Sequence, residues 1–217
     1  MLLSGGLDSA VLAADEARSR TVHPVYVAEG LAWERAEQDI VRQLLSAPPL
    51  AGRTQPLVRL EFTMRDVYPS THWAVTGTPP AYDTPDEDVY LHGRNVSLIS
   101  KAAVYAATKG IGRIAMAPLA GNPFPDATPA FLSAFSTALS LGLDTPIEIV
   151  APFSALHKED VIRLGAALAV PLELTLSCMN PVGTKHCGLC SKCRERRDAF
   201  AAAGIPDPTT YANPSPR

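Results

Sequence analysis

Short apolar segments alternate with helix-forming segments along most of this chain, and this order constrains the possible folds more than any other feature. Five apolar segments are predicted strands, at residues 1–3, 22–27, 56–62, 113–118 and 147–152. The segments between and after them repeat apolar residues at helical spacing, at residues 9–19, 32–46, 96–110, 129–142 and 157–168. Strands that alternate with helices favour a parallel sheet covered on both faces. The sequence therefore predicts an α/β fold with a parallel five-stranded sheet flanked by helices.

The composition disfavours several other classes of protein. With 47% hydrophobic and 19% charged residues, the 217-residue chain has ample material for a packed core. A net charge of −3 and the lack of a long basic run give no strong signal for nucleic-acid binding. The apolar stretches are too short and too interrupted to span a bilayer, and no secretory signal follows Met1. We therefore predict a cytoplasmic protein.

The chain is predicted to divide into three parts. Residues 1–170 form the α/β domain, residues 171–205 a metal-binding segment with a last helix, and residues 206–217 a tail. Residues 63–92 lack periodicity and are too long for a plain connection, which indicates a functional excursion from the domain. The first strand has only residues 1–3 before the next turn, so either this strand is short or the protein starts further upstream.

Residues 4–9, Ser-Gly-Gly-Leu-Asp-Ser, join the first predicted strand to the first helix. Glycines remove the Cβ atoms that would hold a phosphate away, and the free N–H groups and dipole of a helix N-terminus favour an anion. The patterns of a P-loop and of a dinucleotide-binding turn are both absent. The segment thus predicts a phosphate site, with a plain Gly-Ser turn as the alternative. Asp8 adds negative charge, which suits either a helix cap or a ligand of Mg²⁺ bridging phosphate oxygens.

The four cysteines lie together near the end of the sequence, at Cys178, Cys187, Cys190 and Cys193. In a reducing cytosol they are not expected to form disulfides. Four thiolates with no open position are typical of a closed tetrahedral Zn²⁺ site, and an iron–sulfur cluster is the alternative for such soft ligands. His186, beside Cys187, is expected to face outwards. We therefore predict a C-terminal, structural zinc knuckle of four cysteines that holds the last helix.

The loop at residues 4–9 resembles the pyrophosphate-binding loop of the N-type ATP pyrophosphatase, or PP-loop, superfamily. Those enzymes cleave ATP between the α and β phosphates and transfer AMP. Together with the C-terminal cysteines, this loop makes the chain similar to the 7-cyano-7-deazaguanine synthase family over nearly its whole length. The similarity extends to Gly93-Arg94-Asn95, to Phe124-Pro125-Asp126 and to residues 156–165. It implies an adenine nucleotide alpha hydrolase-like, Rossmann-like fold.

The resemblance also implies an activity and its cofactors. The implied enzyme is an ATP-dependent carbon–nitrogen ligase of the queuosine pathway. It adenylates 7-carboxy-7-deazaguanine, lets ammonia displace AMP, and repeats the activation on the amide to give the nitrile. The implied cofactors are ATP, Mg²⁺ and Zn²⁺, the partners are a small-molecule carboxylate and ammonia, and a homodimer is common in the family.

The candidate site residues fall into four groups. The ATP-binding group is Ser4, Gly5, Gly6, Leu7, Asp8, Ser9, Gly93, Arg94 and Asn95. The catalytic group is Asp8, Lys158 and Arg94, where the two cations stabilise phosphate charge unless they are solvated surface residues. The substrate group is Asn122, Phe124 and Asp126. The metal group is Cys178, Cys187, Cys190 and Cys193. Asp126 suits a guanine-like ring because one carboxylate accepts two parallel N–H bonds, and a helix cap is its alternative role.

Two departures from the resembled family leave the acceptor open. The family usually has Tyr-Gly-Gln-Arg-His near the end of its second strand, where this chain has Ala28-Glu29-Gly30-Leu31-Ala32-Trp33-Glu34. It has Cys-Arg where this chain has Ala127-Thr128. One alternative is therefore a related ligase for another carboxylate, with an amine or protein acceptor. Another is a non-catalytic zinc-knuckle module that senses nucleotide, with a modest phosphate-facing patch of Lys185, Lys192, Arg194, Arg196 and Arg197.

Overall fold

The structure is a computed structural model that describes residues 1–216, apart from the side chain of Asp86. Its helices are α1 (Leu7–Glu16), α2 (Glu34–Ser46), α3 (Trp73–Thr76), α4 (Arg94–Thr108), α5 (Pro129–Gly142), α6 (Lys158–Ala167) and α7 (Ser191–Ala203). Its strands are β1 (Val25–Ala28), β2 (Val58–Glu61), β3 (Arg113–Ala115) and β4 (Glu148–Val150). Short 3₁₀ turns cover Asp86–Val89, Pro125–Ala127 and Leu172–Leu174.

The strands form two parallel pairs, β1 with β2 and β3 with β4. The predicted first strand forms only an isolated parallel bridge, between Leu2 and Val25. Its backbone nevertheless reaches both pairs, since the N–H of Leu3 donates to Val25 O at 2.9 Å and that of Leu2 to Ala115 O at 3.0 Å. The α/β class is confirmed, but a single five-stranded sheet is not, because residues 1–3 are too few to build a regular ladder.

The parallel order brings the functional loops to one edge. Residues 1–3 run parallel to β1, so the loop at residues 4–9 and Glu29 both follow the carboxyl ends of neighbouring segments. In open α/β sheets this edge is where ligands bind. Arg94 reaches the same edge from the first turn of α4.

The predicted helices are present with small shifts of their ends. Helix α5 begins after Thr128, whose hydroxyl accepts the N–H of Phe131 at 3.2 Å, as an N-cap does. Helix α4 begins after Gly93, whose φ of 74° is a left-handed conformation that favours glycine. The excursion at residues 63–92 contains the short α3, which its lack of periodicity did not predict. Within residues 1–216 no helix is both long and apolar enough to cross a bilayer.

The largest core cluster extends along most of the chain. It includes Leu3 and Val11 near the start, Leu91 from the excursion, and Cys193 and Phe200 from α7. Side chains of the C-terminal segment therefore pack in the same core as α1. The division of the chain at residue 170 stays a prediction.

Helices α1 and α6 approach closely at Gly165. A Cβ at this position would lie 2.7 Å from Val11 Cγ2 and 3.0 Å from Leu172 Cδ2. Since this overpacks the contact, Gly165→Ala should lower the free energy of unfolding by about 1–3 kcal/mol, measured by urea denaturation. The matched control is Gly142→Ala at the end of α5, where a Cβ would meet nothing within 4 Å. An equally stable Gly165→Ala protein would contradict the packing.

Candidate functional site

The loop at residues 4–9 is a tight turn that leads into α1. Gly5 has a φ of 79°, and a Cβ there would stand 3.1 Å from Val41 Cγ2 and 3.2 Å from the carbonyl oxygen of Glu37. Ser9 Oγ donates to Gly6 O at 2.9 Å, and the N–H of Gly6 donates to Ser4 Oγ at 3.3 Å. These bonds hold the turn, and the first N–H groups of α1 lack acceptors within the helix, as in any helix. The loop thus has the shape of an anion site.

Asp8 and Lys158 form an ion pair beside this loop. Lys158 Nζ lies 2.7 Å from Asp8 Oδ2 and 3.1 Å from Glu195 Oε1. Burial alone would lower the pKa of Lys158, but the two carboxylates outweigh it and raise this pKa, so the lysine stays charged. Asp8 Oδ1 is buried and has no hydrogen-bond partner among the described residues. A buried carboxylate oxygen without a partner is costly, and a hard cation at this point would satisfy it.

Glu195 was not identified from the sequence. It lies on α7, two residues after Cys193, and accepts from Lys192 Nζ at 2.6 Å as well as from Lys158. Burial would raise its pKa, but these two lysines lower it to about 2, so it is ionised. Glu195 therefore links the cysteine-bearing segment to the lysine beside Asp8. Its position in a charged run of α7 gave no signal that could distinguish it from a solvated surface residue.

Arg94 is held by a buried acid. Its Nε donates to Glu29 Oε2 at 3.1 Å, and the Ser97 hydroxyl makes a very short bond to Glu29 Oε1. Burial raises the pKa of the Glu29 carboxyl, and Arg94 and Ser97 only partly oppose this rise. The guanidinium also stands 5.9 Å from the ring centre of Trp33. Arg94 is therefore held in place by these contacts, although its side chain is 33% exposed.

Asp126 contacts the first turn of α4. Its Oδ2 accepts the backbone N–H of Asn95 at 2.9 Å and its Oδ1 accepts Asn95 Nδ2 at 3.2 Å. The carboxylate is 6% exposed. Asp126 therefore caps the start of α4. The alternative role expected from the sequence was a cap of the following helix, α5, and Thr128 is that cap instead.

These residues surround a cavity of about 460 Å³. Ser4, Gly6, Leu7, Asp8, Arg94, Asn122, Phe124 and Lys158 line it, together with Glu37 and Glu195. A smaller cavity of about 270 Å³ shares part of this lining and adds Ser9, Asn95 and Asp126. The structure thus brings the predicted loop, cations and substrate candidates together. Gly5 and Gly93 shape turns and do not line either cavity.

Aromatic side chains from two segments close one side of the larger cavity. Trp33, which follows β1, stacks on Trp73 of α3 with ring centres 5.6 Å apart and planes 13° apart. Both line the cavity, together with Val89 and Leu91 from the excursion. The two stacked indole rings and these aliphatic side chains make this side of the cavity flat and apolar. The excursion therefore builds part of the site.

The four cysteines form a compact, buried cluster. Their sulfur atoms all lie within 4.8 Å of one another, with Cys190 Sγ 3.5 Å from Cys193 Sγ and 4.0 Å from Cys178 Sγ. Four thiolates at about 2.3 Å from one tetrahedral ion would be about 3.8 Å apart. In a multi-iron cluster the cysteines bind different irons and are more widely spaced. The donor set therefore fits a single ion.

Backbone geometry supports this cluster. N–H groups of Cys187 and Asn180 donate to Cys178 Sγ at 3.2 and 3.3 Å, and the N–H of Gly188 to Cys193 Sγ at 3.4 Å. Gly188 has a φ of 84°, and a Cβ there would overlap the carbonyl oxygen of Asn213. The sharp turn between the cysteines therefore requires this glycine.

Two expectations about the neighbouring residues are wrong. His186 does not face outwards: it is 3% exposed, and its Nε2 accepts the N–H of Ser177 at 3.0 Å. Burial lowers its pKa to about 3, so it is neutral. Arg196 does not belong to a surface patch either, since it is 2% exposed and bonds Thr175 Oγ1 and Leu172 O. Both side chains hydrogen-bond to residues 172–177, next to Cys178, and so hold the cysteine segment in place.

The family model for queuosine biosynthesis protein QueC matches residues 1–204 of this chain. The chain belongs to this family. Among its relatives is a 7-cyano-7-deazaguanine synthase of Methanothrix thermoacetophila, 35% identical over 97% of this chain and 96% of that protein. Another, of Anaeromyxobacter dehalogenans, is 34% identical over 98% of this chain and 94% of the relative. A third, of Methanobrevibacter smithii, is 28% identical over 97% of this chain and 96% of the relative. Membership of the QueC family confirms the resemblance that the loop and the cysteines predicted.

Proposed function

We propose that this member of the QueC family is a cytoplasmic ATP-dependent ligase that converts 7-carboxy-7-deazaguanine and ammonia into 7-cyano-7-deazaguanine. Relatives of nearly equal length carry the name of that synthase. The observation that carries the proposal is one cavity that joins the loop at residues 4–9, the Asp8–Lys158 pair and Arg94. A cavity of about 460 Å³ is within the range of small-molecule sites.

The first step needs positive charge where pyrophosphate departs. We assign this role to the N–H groups of residues 4–9 and to Lys158, which Asp8 and Glu195 hold beside them. Mg²⁺ would supply further charge neutralisation, and the unpartnered Oδ1 of Asp8 is the atom that would hold it. The substrate carboxylate oxygen attacks the α phosphorus, and the bond from that phosphorus to the bridging oxygen breaks. Fixed donors at this point need no reorganisation during the step.

The remaining steps take place at the carbonyl carbon. Ammonia attacks the acyl adenylate, a C–N bond forms, and AMP leaves with the electron pair of the broken C–O bond. In the second round the amide oxygen attacks the α phosphorus of another ATP and pyrophosphate leaves. AMP then departs with the electron pair of the C–O bond, and loss of the two N–H protons leaves the nitrile. Trp33 and Trp73 offer a flat apolar wall against which a fused ring can stack. Asn122 and Phe124 line the same cavity, and we propose that they and Asp126, through Asn95, shape the substrate pocket.

The cysteine cluster has a structural role in this proposal. Its four sulfur atoms are buried and leave no open position, so Zn²⁺ bound there would hold the chain and not the substrate. Arg197 bonds Gly188 O at 2.8 Å, and its guanidinium lies over the Tyr211 ring at 3.8 Å. These internal contacts, with those of Arg196, weigh against a phosphate-facing patch.

Incubation of the protein with ATP, Mg²⁺, ammonium and 7-carboxy-7-deazaguanine tests the proposal. We expect two ATP molecules to be cleaved to AMP and pyrophosphate for each nitrile formed, with the product identified by its mass. Omission of ammonium should stop nitrile formation but leave the first adenylation. Pyrophosphate release with another carboxylate, and none with this one, would favour the related ligase instead. No release with any carboxylate would favour a nucleotide sensor.

A further inference from the structure

Three acidic side chains are buried near the cavity: Glu29, Glu34 and Glu37. In one of them, a carboxylate oxygen makes no hydrogen bond to a described residue. Glu29 uses Oε1 for Ser97 and Oε2 for Arg94. Glu34 uses Oε1 for the N–H of Glu29 at 2.5 Å and Oε2 for that of Gly30 at 3.1 Å.

Glu37 differs from both. Its Oε2 accepts the Tyr26 hydroxyl at 2.7 Å, and its Oε1 has no hydrogen bond within the part of the chain that the structure describes. The side chain is 8% exposed and lines the cavity. The proposed chemistry at phosphate and at Arg94 does not use it.

Glu37 is also close to the place of reaction. It lies in the first turn of α2, and its carbonyl oxygen packs against Gly5 of the phosphate loop, where a Cβ would stand only 3.2 Å away. Glu37 lines the same cavity as Arg94 and Lys158. A small ligand held by Glu37 in this cavity would therefore lie near the loop that would bind the adenylate.

We propose that Glu37 binds ammonium and takes its proton, as the general base for nitrogen transfer. This rests on the proposed ligase function. Ammonium has no lone pair, so it cannot attack a carbonyl carbon. Glu37 accepts one proton from ammonium through Oε1. The lone pair of the resulting ammonia then forms the C–N bond while the C–O bond to AMP breaks and AMP carries off that electron pair. The second proton leaves the amide nitrogen to water, and Glu37 returns its own proton to water after AMP departs.

The surroundings suit this role. Tyr26 on β1, Glu29 after it, Glu34 on α2 and Arg94 on α4 are the titratable or charged groups that act on Glu37. Burial raises the pKa of Glu37 to about 7, against the opposing effects of Arg94 and Tyr26. A base with a pKa near the working pH is the most effective. Tyr26 fixes one oxygen and leaves the other for the ligand.

Glu37→Gln tests the proposal through the nitrogen source. We expect kcat/KM for ammonium to fall by roughly 10²-fold or more, the usual effect of losing a general base. Capture of the adenylate by hydroxylamine, which is uncharged at neutral pH, should be unchanged, as should ATP–pyrophosphate exchange without a nucleophile. Glu61→Gln, at an exposed ion pair with Arg59, is the matched control and should change nothing.

The pH profile separates this role from a structural one. In the wild type, kcat/KM for total ammonium should rise through a pKa near 7 and then level. In Glu37→Gln it should follow the concentration of free ammonia upwards instead. Tyr26→Phe removes a hydrogen bond that favours the charged carboxylate, so it should move the wild-type midpoint to higher pH. This variant keeps the test decisive if Glu37→Gln does not fold.

Two results would overturn the proposal. One is a Glu37→Gln enzyme with unchanged use of ammonium and an unchanged pH profile. The other is a raised KM for the carboxylate substrate with normal ammonium dependence, which would make Glu37 a substrate-recognition residue. Failure of the proposed function is a separate result, namely no pyrophosphate release by the wild type with 7-carboxy-7-deazaguanine. The ammonium and hydroxylamine comparison would then be made on whichever carboxylate is activated.

Discussion

Asp8→Ala is expected to reduce ATP pyrophosphate release by roughly 10²–10³-fold, as the loss of one preorganised charge-stabilising group does. The substitution removes the buried Oδ1 that suits a hard cation and the Oδ2 that holds Lys158 at 2.7 Å. Lys158 would keep only Glu195 and would turn away from the loop. The measurement is release of pyrophosphate with saturating ATP and carboxylate.

The fold should survive this change. Asp8 stabilises the N-terminus of α1 by about 0.3–1 kcal/mol, and the substitution loses this interaction. It also removes the buried, unpartnered Oδ1, which is unfavourable in the folded state, so the two effects offset each other. Asp15→Ala is the matched control, because Asp15 lies on the same helix but only pairs with Arg18 at the surface. It should leave the rate unchanged. An Asp8→Ala enzyme that releases pyrophosphate normally would reduce residues 4–9 to a plain turn.

The parts of the site that sequence could predict are those made by one short segment. Residues 4–9 and the cysteine spacing each specify a local geometry, and both geometries are present. The Lys158–Asp8 contact joins residues 150 positions apart, and no pattern in the sequence predicts it. Patterns within short segments therefore predicted the loop and the cysteine site, but not which distant residues contact them.

The buried acids were missed for a different reason. Glu34 and Glu37 open an amphipathic helix, where acidic residues normally interact with the helix N-terminus in solvent. Here they are buried because the Tyr26 hydroxyl bonds Glu37 and the N–H of Glu29 bonds Glu34, while Arg94 reaches Glu29 from the distant α4. The sequence shows that these residues are charged but not that they have buried partners. Because charged side chains are usually exposed, the polar face of this helix is expected to face solvent. The one available signal was Glu29, a charged residue directly after a fully buried strand.

Cys190→Ser is expected to release the bound metal and to make the protein unstable or insoluble. The binding free energy of a structural zinc ion is about 10–16 kcal/mol, comparable with the whole stability of a domain at about 5–15 kcal/mol. Cys190 Sγ contacts two of the other sulfur atoms, and all four cysteines pack in the main core. Metal analysis of the wild type should give about one zinc per chain, and the variant should have none and a lower melting temperature.

Thr184→Ala, an exposed substitution in the same loop, is the matched control and should keep both zinc and stability. An iron–sulfur absorption spectrum in the wild type, or a Cys190→Ser protein as stable as the wild type, would contradict a structural zinc site.

The metal should also support the chemistry at a distance. Cys193 and Glu195 lie on the same turn of α7, and Glu195 holds Lys158 at 3.1 Å. Loss of zinc frees the start of α7, so Lys158 loses one of its two carboxylate partners. Chelator-treated protein that is still folded should therefore release pyrophosphate more slowly and recover when zinc is added back. Full activity of folded, zinc-free protein would show that α7 is positioned by the core alone.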